Sequence, residues 1–128
     1  MPDPEPETDQ QAVAERAAEE ILRIHRESYG TGARSARGYL HEDALICFLD
    51  DVELMPSEQF LVDQGKADAV LEIRGQYQEA VATPFVAAVE RATGRRVVAF
   101  VSRTHLDPSF AVEIFRLAQA EGGGAGRA

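Results

Sequence analysis

The alternation of apolar and polar residues begins with the pattern of an amphipathic helix. From Val13 to Ser28, apolar and small residues recur every three or four positions, and glutamates and arginines occupy the other side. Thr8 followed by Gln11 has the spacing of a capping box, and Gly30 suits a left-handed helix cap. We therefore expect a first helix that begins near Thr8 and ends at Gly30.

The next segment has the pattern of a β-hairpin. Ala44 to Leu49 is an apolar run that is too short for a buried helix and lies between acidic turn residues. The preceding "RSARGYL" is a weaker strand candidate, and "HED" would be the turn between the two strands. Because apolar residues occupy alternate positions on both sides of the second strand, both of its faces look covered.

A helical region follows the hairpin. "MPSEQFLVDQG" predicts a short helix, with Pro56 in its first turn and Gly65 at its end. A longer helical pattern runs through "ADAVLEIRGQYQEAVATPFVAAVERATG", where Pro84 predicts a kink or a break near Ala82–Thr83. The apolar stripe of this longer helix is Val70, Ile73, Tyr77, Val81, Phe85, Val89 and Ala92.

Two further strands complete the predicted fold. "RRVVAFVS" and "FAVEIFRL" are rich in β-branched and aromatic residues, and in the second Val112 and Ile114 share one face. The order is α-β-β-α-α-β-β, which predicts an α+β fold in which two antiparallel hairpins form a four-stranded sheet with helices on one face. We expect one domain over residues 9–118, between a disordered acidic segment at 1–8 and a disordered glycine-rich tail at 119–128.

Composition and charge exclude several classes of function. The chain has 128 residues and a net charge of −9, and it contains no basic stripe with interleaved aromatic residues, which argues against nucleic-acid binding. No apolar run is long enough to span a membrane, and the N-terminus does not look like a signal peptide, so we expect a cytoplasmic protein without direct membrane insertion. Cys47 is the only cysteine and is expected to be a small buried apolar residue.

The residues that suggest chemistry are few and scattered. His105 and Asp107 follow a predicted strand, but a metal or hydrolytic site needs further ligands or a nucleophile, and Pro108 in "THLDPS" favours a turn. His25 and Arg26 can complement the dipole at the end of the first helix. We predict no catalytic residues, metal or cofactor. The candidate interaction or ligand residues are Arg23, His25, Arg26, Tyr29, Arg103, His105 and Asp107.

Several segments together resemble the MpsC-domain family, small bacterial proteins named after a sodium-translocating, membrane-potential-generating system. They are "ILRIHRESYGTGA", "DALICFLDDV", "TPFVAAVERATGRRVVAFVSRTHLDP" and "AVEIFRL", within roughly Ala14 to Leu117. The resemblance implies a soluble partner of membrane transport components, with no established catalytic residues. The family's recurrent histidine and aspartate match His105 and Asp107.

Two functions remain open at this point. The first is a non-catalytic accessory or regulatory module that binds a protein partner, with a homodimer formed through a sheet edge or the first helix. The second is a small enzyme or ligand sensor that uses Arg23, Arg26, His105 and Asp107. We favour the first, since an assembled site normally shows several convergent polar groups.

Overall fold

The computed structural model of the chain describes residues 6–29 and 32–119, with side chains from residue 9 onward. The predicted cap at Gly30 lies outside the described residues. Of the two ends predicted to be disordered, only residues 6–8 and 119 are described. In chain order the elements are α1 (Pro6–Tyr29), β1 (Ser35–His41), β2 (Ala44–Asp50), α2 (Pro56–Asp63), α3 (Ala67–Thr93), β3 (Val97–Leu106) and β4 (Ser109–Leu117).

The four strands form one antiparallel sheet in the order β1-β2-β4-β3. Each hairpin pairs its own two strands, and the pairing of β2 with β4 joins the hairpins at the centre. In this central pairing Leu45 lies opposite Phe115 and Cys47 opposite Glu113. The predicted α+β fold and its order of elements are confirmed.

The core lies between one face of the sheet and the helices α1 and α3. Alternation along β2 sends Leu45, Cys47 and Leu49 into this core, and all three are fully buried. Helix α1 approaches β1 so closely that a Cβ atom at Gly38 would collide with the carbonyl oxygen of Ala14. The residue at this crossing therefore has to be glycine.

Helices α1 and α3 differ from their predicted forms. Helix α1 begins at Pro6, so Thr8 lies within its first turn instead of ahead of it. Helix α3 continues through Pro84, so the predicted break is wrong, and the alternative of a kink stays a prediction. A proline inside a helix costs about 3 kcal/mol, but Val81 and Phe85 beside it are buried in the core and hold the helix together on both sides.

The predicted apolar stripe of α3 is wrong in its first half. Ile73 is 43% exposed, whereas Arg74 beside it is only 1% exposed. The buried line runs through Val70, Arg74 and Val81, which keeps a helical spacing but accepts a charged residue because that residue finds a partner. Periodicity indicated the helix correctly and misplaced its inner face by one residue.

The second hairpin is tighter than its sequence suggests. Strand β3 extends to Leu106, so His105 belongs to the strand, and the turn consists of Asp107 and Pro108, joined by a cis peptide bond. His105 pairs with Phe110 across the hairpin. This pairing places His105 on the sheet face that points away from the helices.

Candidate functional site

The face of the sheet turned away from α1 and α3 has no described helix packed over it. We call it the open face. The strand registers and side-chain alternation assign to it Ser35, Arg37, Tyr39, His41, Ala44, Ile46, Phe48, Asp50, Ala99, Val101, Arg103, His105, Phe110, Val112, Ile114 and Arg116. The expectation that both faces of β2 are covered is therefore wrong, because the packed helices reach only one of them.

The centre of the open face is apolar. Phe48 lies opposite Val112, and Ile46 lies opposite Ile114, where β2 meets β4. These four side chains are half-buried, although no helix of the described chain packs over them. On the outer strands Tyr39 is 42% exposed and Val101 is 55% exposed. Ile46, Phe48, Val112 and Ile114 thus form an apolar band along β2 and β4, which Tyr39 and Val101 extend to the outer strands.

Arginines border this apolar band. Arg37 donates two hydrogen bonds to the Asp50 carboxylate, at 2.7 and 3.1 Å, and its guanidinium lies 5.0 Å from the centre of the Phe48 ring. Arg103 and Arg116 are exposed and form no ion pair with any described residue. The open face thus carries three arginines against one aspartate.

The predicted loop residues lie at one end of the open face. His105 Nδ1 is 2.8 Å from the carbonyl oxygen of Pro108, which can only accept, so Nδ1 carries the proton. The His105 ring also packs against Phe110, with 5.4 Å between ring centres. These contacts give His105 a role in closing the β3–β4 turn, and Asp107 is exposed beside it.

The predicted residues of α1 lie on the opposite, helix-covered side. Arg23 forms ion pairs with Glu20 at 2.8 Å and Glu27 at 3.1 Å. Arg26 donates hydrogen bonds to the carbonyl oxygens of Ala33 and Arg34, which fasten the chain after α1. No described hydrogen bond, ion pair or ring contact joins these arginines to His105 or Asp107.

A buried ion pair joins α2 to α3. The Arg74 guanidinium donates to both carboxylate oxygens of Glu58, at 2.7 and 2.6 Å, and stacks 4.5 Å from the Tyr29 ring. Glu58 also accepts a hydrogen bond from the backbone N–H of Met55, at the start of α2. Burial opposes ionisation of Glu58, but the Arg74 and Met55 hydrogen bonds outweigh it and lower its pKa.

Sequence reasoning missed this ion pair, although one signal was available. Arg74 lies on the helical spacing set by Val70 and Val81, where an apolar residue is the normal choice. A charged residue on a buried stripe requires a partner. That partner, Glu58, belongs to another helix, so the spacing within α3 could indicate the need for a partner without identifying it.

His25 is part of the same interior and does not act as an exposed cation at the helix end. It is buried, and its ring centre lies 4.4 Å from that of Tyr29. Burial, with the nearby charges of Arg74 and Arg26, lowers the pKa of His25 to about 4. The neutral ring therefore cannot stabilise the helix dipole as expected, although Arg26 still lies in the last turn.

The helix-covered face also contains a row of polar groups. Cys47, Glu113 and Ser102 lie side by side across three strands. Glu113 is 1% exposed, and burial raises its pKa to about 8, with Ser102 opposing the rise. Burial likewise raises the pKa of the Cys47 thiol to about 12, so this thiol is unreactive at neutral pH, in agreement with its predicted role.

The comparisons with known proteins identify one family. A family model described as "Na+-translocating membrane potential-generating system (MpsC)" matches residues 9–119. Comparison with curated proteins found no match, and neither did comparison with solved structures. Among the described residues, none of the helices combines the length and the apolar character needed to cross a bilayer.

Proposed function

Because the chain belongs to the MpsC family, we propose that it is a non-catalytic accessory module that binds a protein component of a membrane ion-transport system. The open face is the surface that would make this contact. The single observation that carries the proposal is the apolar band on a sheet face that no described helix covers. The family's description supplies the kind of system, and the open face supplies the surface.

The size of the open face supports a binding role. Strands of seven residues or more, spaced about 4.8 Å apart and rising about 3.3 Å per residue, give a four-stranded face of roughly 400 Å². The apolar band occupies part of this area, and the largest apolar patches on typical monomers, about 300–600 Å², often have a function. A face of this size suits one docking element of a partner, because a standard interface buries about 800 Å² on each side.

The chemistry of the open face also favours binding over catalysis. Its centre consists of aliphatic and aromatic side chains, and the His105 imidazole is held by the turn beside it. The alternative of an enzyme or ligand sensor requires Arg23 and Arg26 to meet His105 and Asp107. Arg23 and Arg26 instead make the contacts of α1 described above, which gives that alternative no support.

Site-specific crosslinking in the native host tests the proposal. A photoreactive residue in place of Val101 samples the open face, and the same residue in place of Arg16, exposed on α1, samples the other side of the molecule. We expect the Val101 position alone to crosslink to a membrane transport subunit, identified by mass spectrometry. Crosslinking of that subunit from Arg16 but not from Val101 would overturn the assignment of the open face.

The same experiment reports on self-association. The homodimer was predicted to form through a sheet edge or through α1, and an α1 dimer would appear as a crosslink between two copies at Arg16. A crosslink between two copies at Val101 would instead place a second copy on the open face. A dimer crosslinked at Val101 in place of any transport subunit would contradict the proposal, because it would show that a second copy occupies the open face.

A further inference from the structure

The open face has a charge opposite to that of the chain as a whole. The chain carries a net charge of −9, but the open face presents three arginines and a single carboxylate. That carboxylate, Asp50, is already bound to Arg37. Two positive charges are therefore available to an incoming molecule, those of Arg103 and Arg116.

Both arginines lie on the β3 side of the line between β2 and β4. Arg103 is on β3 opposite Val112, and Arg116 is on β4, four residues beyond Val112. At about 3.4 Å per residue along the strand and one strand spacing across, they are roughly 14 Å apart. On the other side of the band, Arg37 is held by Asp50 and stacked on Phe48, which leaves it less free to bind a second carboxylate.

The width of the band fits one helix. Arg37 and Arg103 lie at the two ends of one row across the sheet, three strand spacings or about 14 Å apart. A helix with its side chains is about 10–12 Å wide, and an apolar sheet face is normally buried by helices or by a second sheet. One helix laid along β2 and β4 would cover the four central side chains.

We propose, building on the protein-binding role above, that the open face receives an amphipathic helix of the partner that is acidic on one flank. Its apolar stripe packs on Ile46, Phe48, Val112 and Ile114, and its carboxylates pair with Arg103 and Arg116. Apolar burial supplies the affinity of this contact. Arg103, on the edge strand, fixes the orientation of the helix, since reversing its flanks would leave this arginine without a carboxylate.

Charge disfavours the other occupants. A second copy of the chain is disfavoured because any face-to-face pairing would bring together six arginines and two aspartates. If the two-fold axis were parallel to the strands, Arg37 of one copy would lie over Arg103 of the other. An anionic membrane would attract the two arginines but repel a chain of net charge −9. An acidic helix matches both the apolar band and its border.

Two synthetic helical peptides with the same leucine stripe provide the probe. One carries glutamates along a flank and the other carries lysines at the same positions. Titrated into the full chain and followed by fluorescence anisotropy, the glutamate peptide is expected to bind at least 10-fold more tightly than the lysine peptide. Its affinity should fall as salt concentration rises. Equal affinities for the two peptides would overturn the proposal.

A matched pair of double variants locates the contact. Arg103→Glu with Arg116→Glu should weaken binding of the glutamate peptide at least 10-fold. Arg16→Glu with Arg91→Glu changes the net charge equally on the helix-covered side, where both arginines are exposed, and should leave binding within about 2-fold. Amide chemical shifts should move along β2 and β4 on binding. An equal loss in both double variants would mean that only net charge matters.

Two further measurements separate the competing occupants. Binding of the chain to phosphatidylglycerol vesicles that disappears in the Arg103/Arg116 variant would replace the helix by a lipid surface. Dimerisation in analytical ultracentrifugation that disappears in this variant would replace it by a second copy. If the double variant Arg103→Glu with Arg116→Glu still crosslinks to a transport subunit from Val101, this inference is overturned and the protein-binding role stands. If the wild-type chain gives no crosslink to a protein from Val101, both the inference and the protein-binding role of the open face are overturned.

Discussion

The two faces of the sheet use the same four strands in different ways. On the helix-covered face, Leu45, Leu49 and Phe115 are completely buried, and even the carboxyl group of Glu113 is excluded from water. On the open face, one residue away along the same strands, Ile46 and Ile114 are only half-buried. At the centre of the sheet, apolar side chains occupy both faces. What differs is whether another element of the chain lies above them.

This difference separates stability from recognition. Side chains on the helix-covered face lose their contact with water when the chain folds, so they contribute most of the hydrophobic stabilisation. Side chains on the open face keep part of that contact and can release it when a partner binds. Substitutions on the first face should therefore change the free energy of unfolding, and substitutions on the second should change binding.

The largest expected effect comes from cutting a buried aromatic side chain. Phe115→Ala should lower the free energy of unfolding by about 4 kcal/mol, since it removes a fully buried ring that stacks on Phe100 and leaves a cavity. Val101→Ala on the open face should change it by less than about 0.5 kcal/mol. Urea denaturation followed by circular dichroism measures both. Similar losses in the two variants would show that the faces are not distinct.

The next largest effect should come from breaking the buried ion pair between α2 and α3. Glu58→Ala should destabilise the chain by about 3 kcal/mol, because it leaves the Arg74 guanidinium buried without its carboxylate. Glu27→Ala, which breaks an exposed pair with Arg23, should cost less than about 1 kcal/mol. Thermal unfolding compares the two. A Glu58 variant as stable as the Glu27 variant would show that Arg74 reaches water or another partner.

The smallest effect, between pH 6.5 and 8, is a fall in stability with rising pH that is caused by Glu113 on the helix-covered face. The pKa of Glu113 is about 8 in the folded chain, above its ordinary value of 4.5. Between these two values Glu113 keeps its proton in the folded chain and loses it in the unfolded chain. The free energy of unfolding should therefore fall as pH rises from 4.5 to 8, by up to about 1.4 kcal/mol per pH unit. Glu113→Gln cannot ionise and should lack this decline.

Measurements between pH 6.5 and 8 isolate the Glu113 effect. The pKa of His25 is lowered to about 4 from an ordinary 6.5, so its contribution to stability is lost as pH falls below 6.5, in the opposite direction. Urea midpoints of the wild type and of Glu113→Gln should therefore diverge above pH 6.5. Parallel pH curves for the two proteins would show that Glu113 already ionises within the folded core.

Local signals in the sequence were sufficient for the elements and their order. The apolar run from Ala44 to Leu49 gave β2, Pro56 and Gly65 bounded α2, and alternation in β4 separated Val112 from Phe115 correctly. Such signals depend on neighbours within a few residues, which the sequence shows directly. Continuity of α3 through Pro84 was not predictable, because contacts with distant parts of the chain hold that helix together.

The predicted interaction residues lie in different parts of the structure, and their role in binding stays a prediction. Arg103, His105 and Asp107 do lie on or beside the open face, whereas the predicted residues of α1 belong to the other side. The apolar centre of the open face was not proposed as a site, because the sequence of β2 looks the same whether one face or both are covered. Its identification required the strand order and the positions of α1 and α3.

The sequence by itself determined the secondary structure, the α+β class and the membership of a family, since each depends on local pattern or on matched residues. Only the tertiary structure decided which sheet face stays open, why Arg74 can be buried, and that His25 is neutral. The physical reason is that burial, ion pairing and pKa depend on what lies across space from a residue, and packing brings together groups such as Glu58 and Arg74 that are distant along the chain.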